Sequence, residues 1–216
     1  MKTITTREWT LLAFILVYSF VPTFGGLVRI ADLAGVLTIM PDNPRAHAAP
    51  LPVVLHIVSS FVFCLLGALQ FLPSVRRHHP YAHRAAGRVV AAAGSVSAVT
   101  GLWMTHAFAF PPELQGLLLY WTRTFLSVWM AGLIVWAVIA VRARNFRGHS
   151  AAMLRAYAIG QGASTQTFLG IGWAIVMGTD LAGPARDVMM VLAWALNLLL
   201  AEFLIRTARI SRPVHA

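Results

Sequence analysis

The sequence predicts an all-α fold, a polytopic transmembrane helix bundle of six spans with both termini in the cytoplasm. The chain is 58% hydrophobic and only 11% charged, whereas about a quarter of the residues in a soluble domain are charged. Its apolar residues come in separate runs of about 20, long enough to cross a hydrocarbon layer of about 30 Å. Basic residues collect in alternate connections between these runs. We therefore expect residues 1–216 to form a single transmembrane domain.

Six apolar runs are predicted to span the membrane. The first follows Lys2 and Arg7 and resembles a secretory signal. It is longer than the 7 to 15 residues of a signal core, so we expect it to remain uncleaved. The next three runs are predominantly apolar, the fifth contains several polar residues, and the sixth holds Asn197 and Glu202. The approximate spans are 9–28, 51–72, 89–110, 117–141, 157–176 and 188–205.

The distribution of basic residues predicts the orientation, because Lys and Arg near span ends are retained on the cytoplasmic side. The N-terminus, the second and fourth connections and the C-terminus carry thirteen of them. The other three connections carry only Arg29, Arg45 and Arg186. An even number of spans with both termini inside fits this alternation. Arg123 is the one basic residue set inside a predicted span.

Composition also excludes several classes of function. The net charge of +10 is explained by orientation, so we expect no nucleic-acid binding. The single cysteine, Cys64, excludes disulfides, Cys-ligated zinc and iron–sulfur clusters within the chain. There is no GxSxG or HExxH motif. Whether the protein is an enzyme stays open, and any activity is expected to be redox chemistry.

Two histidines in neighbouring spans suggest a haem site. His56 lies about five residues into the second span, and His106 about four residues from the outer end of the third. Both imidazoles would then lie at one depth, as the two axial ligands of a b-type haem require. Arg123 would pair with a haem propionate or with Glu113. The alternative is that both histidines bond to a neighbouring helix or to headgroups.

The fifth span is unusually polar. Tyr157, Gln161, Ser164 and Phe168 form one stripe, and the helix either packs through interhelical hydrogen bonds or lines a ligand or water cavity. In the sixth span, Glu202 is expected to pair with Arg206 or with Arg155. Gln70 shares the inward face of the second span with His56.

Several motifs resemble a known family, the bacterial predicted membrane proteins called domain of unknown function 2306. They are Gly67-Ala68-Leu69-Gln70-Phe71, Arg76, His83-Arg84, Gly87-Arg88, and Arg147, His149, Met153, Arg155 and Tyr157. The similarity extends from about Leu51 to Phe168. It implies a polytopic inner-membrane protein. It also implies one cytoplasmic-side cluster of His83, Arg84, Arg88, His149 and Arg155. The family name carries no activity.

Three hypotheses follow. The first is a redox module that holds haem b between the second and third spans and exchanges electrons with a quinone. The second is a transporter or a lipid- or anion-binding protein that uses the stripe of the fifth span and the Arg/His cluster. The third is an accessory or assembly subunit of a larger membrane complex. In each case the cytoplasmic arginines are expected to contact anionic lipids.

Overall fold

The computed structural model describes residues 5–210, with side chains up to residue 208, and these residues form α-helices and connections without strands. They fall into two compact units divided between Phe110 and Pro111. Unit 1 contains α1 (Thr6–Leu33), α2 (Pro44–Ala48), α3 (Pro50–Gln70), α4 (Pro73–His78) and α5 (Pro80–Ala107). Unit 2 contains α6 (Leu117–Arg142), α7 (Phe146–Gly160), α8 (Gly162–Met177) and α9 (Gly183–Ile210).

Unit 1 is built around the pair α3 and α5, with α1 packed on α3. Four of its helices begin at a proline, where the missing N–H would have had no helical partner. Leu12 of α1 forms a buried cluster with Ala68 and Leu72, at the end of α3. This cluster fixes the side of unit 1 on which α4 begins.

Unit 2 is built around α6 and α7, with α9 packed against α6, α7 and α8. Leu119, Ile134 and Ala137 of α6 are among its buried residues, as are Ala156 of α7 and Ala193 of α9. The small side chains let the helices approach closely, as is common between membrane helices.

Long helices coincide in position with five of the six predicted spans, and the predicted fifth span differs. Five helices among the described residues are long and apolar enough to cross a membrane: α1, α3, α5, α6 and α9. The predicted fifth span is instead two shorter helices, α7 and α8, which meet at Gln161. Large apolar side chains such as Val17 and Ile175 are exposed. Apolar surface on this scale fits contact with lipid rather than with water.

Helix α5 also differs from the predicted third span. It begins at Pro80, well before Val89, because the basic segment ahead of the apolar run is helical as well. It ends at Ala107, three residues before the predicted end at Phe110. Because α5 ends at Ala107, His106 lies in the last turn of the helix.

Candidate functional site

The basic connection between α3 and α5 folds into α4 and the first turns of α5. Four of its arginines are exposed, and among the described residues none of them pairs with a carboxylate. The Arg84 guanidinium lies 4.7 Å from the centre of the Tyr81 ring. We call these four residues the inner arginines of unit 1: Arg76, Arg77, Arg84 and Arg88.

Gln70 lies at the same corner of unit 1, at the end of α3. Its Oε1 is 3.2 Å from the point that a Cβ on Gly87 would occupy, so the glycine lets α3 and α5 approach here. The Gln70 Nε2 atom is buried and has no hydrogen-bond partner among the described residues. His83 lies one turn before Gly87 on α5, and its Nδ1 is buried. The structure thus brings Gln70 and His83 to one corner, beside the inner arginines of unit 1.

His56 joins α3 to α5 near the middle of that pair. Its Nδ1 lies 3.0 Å from the Ser97 carbonyl oxygen and 3.1 Å from Thr100 Oγ1. Because a carbonyl oxygen only accepts, Nδ1 is the protonated nitrogen and donates to Ser97. The Ser60 and Ser97 hydroxyls, 2.7 Å apart, add a second bond between the two helices.

His106 lies elsewhere on α5, in the last turn of the helix, and it is exposed. The residues that His56 contacts, Ser97 and Thr100, precede His106 by nine and six positions. At 1.5 Å per residue this is a separation of roughly 9 to 13 Å along α5. The prediction that the two imidazoles share a depth is therefore wrong, because α5 ends early and His56 contacts α5 farther from that end.

A porphyrin between α3 and α5 would also need a gap, whereas direct hydrogen bonds join the two helices beside His56. Among the described residues, no three His, Cys, Asp or Glu side chains are grouped to hold a metal ion. Haem binding by His56 and His106 stays a prediction that these contacts do not favour.

In unit 2, the predicted cluster residues His149 and Arg155 contact neighbouring helices. His149 Nδ1 lies 3.0 Å from the Ala137 carbonyl of α6, to which it donates. Arg155 forms a two-pronged ion pair with Glu202 of α9, in which Nη2 lies 3.0 Å from Oε2 and Nε donates to Oε1. Of the two partners predicted for Glu202, Arg155 is thus confirmed. That His149 and Arg155 join His83, Arg84 and Arg88 in one cluster stays a prediction.

The polar stripe of the fifth span lies where α7 meets α8. Gln161 donates from Nε2 to the Tyr157 hydroxyl at 2.9 Å, and its Oε1 accepts from Ser164 Oγ at 2.8 Å. All three side chains are buried. Since they bond to one another, the arrangement favours the packing interpretation of the stripe over a ligand-lined cavity.

Helix α9 supplies the remaining polar contacts at this junction. Trp194 Nε1 donates to the Ile159 carbonyl at 3.1 Å, and Asn197 Nδ2 donates to the Ala158 carbonyl at 3.3 Å. Thr165 Oγ1 donates to Asn197 Oδ1 at 2.8 Å. Two main-chain carbonyls of α7 are therefore bonded by side chains of another helix.

Arg123 lies near the start of α6. Its Nη1 donates to Gln115 Oε1 at 2.6 Å, and Arg186 and Asp187 of α9 are its electrostatic neighbours. Arg186 donates to the Leu114 carbonyl. The structure thus surrounds Arg123 with groups of unit 2, from the connection before α6 and from the start of α9.

The sequence analysis missed two buried carboxylates that cap helices elsewhere in the chain. Asp187 accepts from the main-chain nitrogens of Gly116 and Leu119, at 3.1 and 3.2 Å, at the start of α6. Glu8 accepts from Ser74 N at 2.7 Å and from Ser74 Oγ at 2.6 Å, at the start of α4. Both helices begin without a side-chain cap of their own. That absence is the signal in the sequence that could have prompted a search for a distant acid.

A comparison with protein families matches residues 53–205 to a family described as predicted membrane protein (DUF2306). The match runs from the start of α3 into α9 and includes Gln70, the basic connection before α5, and the α7–α8 junction. No curated protein and no solved structure matches the chain. Because the match covers more than two thirds of the residues, the chain belongs to the DUF2306 family of predicted membrane proteins.

Proposed function

We propose that this chain is a six-span protein of the bacterial cytoplasmic membrane, with both termini inside, that binds anionic phospholipid headgroups through its inner arginines. One observation carries the proposal. Among the described residues, the arginines of the predicted outer side are partly buried and contact groups of the protein, whereas those of the predicted inner side other than Arg155 are exposed and have no carboxylate within ion-pair distance.

On the predicted outer side, the arginines are occupied within the chain. Arg29 Nη1 lies 2.7 Å from Asp32 Oδ2, and its Nη2 donates to the Pro41 carbonyl at 2.8 Å. The Arg45 guanidinium lies 5.0 Å from the centre of the Phe110 ring. Arg186 donates to the Leu114 carbonyl. These three side chains are partly buried, unlike the exposed inner arginines of unit 1.

On the predicted inner side, Arg155 is the one arginine with a described carboxylate partner. Unit 2, taken by itself, also has exposed arginines in its predicted inner segments, and so does the first turn of α1 in unit 1. No Asp or Glu occurs between Asp42 and Glu113 in the sequence, so the inner arginines of unit 1 have no acidic neighbour in their own segment. Within the part of the chain whose side chains are described, the other exposed arginines are Arg7, Arg142, Arg144, Arg147 and Arg206.

The chemistry of this surface fits the inner leaflet of a membrane. Anionic headgroups attract juxtamembrane Lys and Arg by about 1 kcal/mol each, and salt weakens the attraction. In unit 1, Tyr81 is exposed beside Arg84, as expected for a tyrosine at the level of the headgroups. Electron exchange with a quinone and membership of a larger complex stay predictions.

The test of lipid binding is native mass spectrometry of the protein released from nanodiscs of phosphatidylglycerol or phosphatidylcholine. We expect retained phosphatidylglycerol, about 30-fold weaker in Arg84→Gln/Arg88→Gln, if each arginine contributes about 1 kcal/mol. The matched control is Arg29→Gln/Arg45→Gln, which removes the same charge on the predicted outer side. Equal retention of both lipids, or an equal loss in the control, would contradict the proposal.

Six spans rather than five require that α7 and α8 together cross the membrane. The junction at Gln161 is compatible with crossing, because broken helices occur in membranes where neighbouring helices bond the freed carbonyls. Single cysteines in a Cys64→Ala background test it. An impermeant thiol reagent should label Asp180→Cys in intact spheroplasts and Arg147→Cys only after lysis. Labelling of both from one side would refute six spans.

A further inference from the structure

The junction between α7 and α8 interrupts the main-chain hydrogen-bond ladder. Gln161 N still donates to the Tyr157 carbonyl at 2.9 Å, but Ser164 N turns to the Gln161 carbonyl at 3.1 Å. The α-helical ladder is interrupted here, because α7 ends at Gly160 and α8 begins at Gly162, with Gln161 as the cap residue of both helices. A helix without Pro at the junction is thus broken at one residue.

Two side chains of α9 donate hydrogen bonds to carbonyls in the last turn of α7. Asn197 donates to the Ala158 carbonyl and Trp194 to the Ile159 carbonyl. In a continuous helix, Gly162 N and Ala163 N would donate to these two oxygens. The side-chain bonds are reversible substitutes that α9 can make or release without unwinding either half-helix.

Close packing holds the junction together at one point. A Cβ on Gly162 would lie 2.0 Å from Trp194 Nε1 and 2.2 Å from Trp194 Cδ1. Glycine is therefore the residue that lets the indole reach the Ile159 carbonyl. The Trp194 indole therefore contacts both Gly162 and the Ile159 carbonyl.

Beyond this contact α8 is loosely held. Its buried residues are Gly162 and Ser164, both in the first turn. Gln166 Nε2 donates to the Met190 carbonyl at 3.1 Å. Farther along, a Cβ on Gly170 or Gly172 would meet nothing within 4 Å. The helix is thus anchored near its beginning and largely free of packing along its second half.

We propose that α8 is a half-span that pivots on Gln161–Gly162, and that Trp194 and Asn197 are the latch that holds it in the closed position. In the pivoted state the Ala158 and Ile159 carbonyls lose the α9 side chains and accept hydrogen bonds from water or from a donor that enters the junction. The pivot lies in the segment whose polar stripe the sequence singled out, and it is independent of lipid binding by the inner arginines.

Double electron–electron resonance on the full chain in nanodiscs tests the pivot. In a Cys64→Ala background, spin labels replace the exposed Arg147 at the start of α7 and Ile175 at the end of α8. The 16 residues of α8 extend about 24 Å, so a swing of about 15° displaces the far label by about 6 Å. We expect one narrow distance for the otherwise native protein. For Asn197→Ala and for Trp194→Phe, which keeps an aromatic ring, we expect a second, distinct distance, shifted by less than this displacement because the first label lies near the line of the pivoting span.

The control is Thr207→Val, a polar-to-apolar change on the same helix, which should keep the single distance. Thr165→Val removes the bond that orients Asn197 without touching a carbonyl, and it should shift the distribution in the same direction by less. This milder variant provides the test if a latch variant fails to fold. A single unchanged distance in the folded variants would overturn the proposal and leave the junction a static kink.

Discussion

The two units use buried polar side chains in different ways. In unit 1, α3 and α5 are unbroken, and the bonds of His56 and Ser60 to Ser97 join two helices whose own ladders are complete. In unit 2, Trp194 and Asn197 bond the Ile159 and Ala158 carbonyls in the last turn of α7, which in an unbroken helix would accept from Ala163 N and Gly162 N. In unit 1, polar side chains thus add hydrogen bonds to those of the main chain, whereas in unit 2 they take the place of some main-chain hydrogen bonds.

This difference has an energetic consequence. Removing a supplementary bond costs about 0.6 kcal/mol on average between membrane helices, because other partners are found. Removing the donor of a buried carbonyl leaves that carbonyl unsatisfied, which costs about 1–3 kcal/mol. Substitutions at the α7–α8 junction should therefore destabilise the protein more than comparable changes between α3 and α5.

The largest effect is expected at Gly162. Gly162→Ala places a methyl group within 2.2 Å of two indole atoms of Trp194, and overpacking of this kind costs about 3 kcal/mol. The loss would appear in SDS-induced unfolding of the protein in mixed micelles, followed by circular dichroism.

The control is to make Gly162→Ala in a protein that already carries Trp194→Ala. With the indole gone, the methyl group has space and alanine is the better helix former, by about 1 kcal/mol. We expect Gly162→Ala to become neutral or stabilising there, so that the double-mutant cycle gives a large coupling. Equal costs in both backgrounds would mean that the glycine is not needed for the Trp194 contact.

Much of the fold could be predicted because apolar runs and basic connections are local signals. The predicted fourth span, 117–141, agrees with α6 (Leu117–Arg142) to within one residue. Pairing of Arg155 with Glu202 was among the predicted alternatives because one acid lies near the end of the last span. Tyr157, Gln161 and Ser164 were predicted to share a stripe, and the structure joins them by hydrogen bonds.

The features that could not be predicted depended on contacts between residues far apart in the chain. The polar stripe was visible in the sequence. The contact of Trp194 with Gly162 and with the Ile159 carbonyl was not, because Trp194 lies 33 positions after Gln161 and looks like an ordinary apolar residue of a span. The depth of His56 depended on where α5 ends and on the register of α3 against α5. Hydrophobic periodicity fixes the face of a helix and leaves its register against a neighbour undetermined.

A second, smaller effect is expected from the two long-range caps. Asp187→Ala should cost about 2 kcal/mol, because it removes the buried acceptor of two nitrogens at the start of α6. Glu8→Ala should cost less, because α4 has only six residues and α1, whose capping box also uses the Glu8 carboxylate, keeps the bond from residue 8 N to Thr5 Oγ1. Unfolding midpoints in mixed micelles compare the two variants. A larger loss of stability for Glu8→Ala than for Asp187→Ala would contradict this ranking of the two caps.

The smallest effect is expected between α3 and α5, where Ser60 and Ser97 bond hydroxyl to hydroxyl at 2.7 Å. Ser60→Ala, Ser97→Ala and the double variant form a cycle whose coupling energy should be about 0.6 kcal/mol. The Ser97 carbonyl keeps its bond from His56 in all of these variants, because alanine retains the main chain. A coupling above about 2 kcal/mol would place this pair in the range expected at the α7–α8 junction. The contrast between supplementary bonds in unit 1 and replacement bonds in unit 2 would then fail, since α3 and α5 would depend on side-chain bonds as strongly as the broken span does.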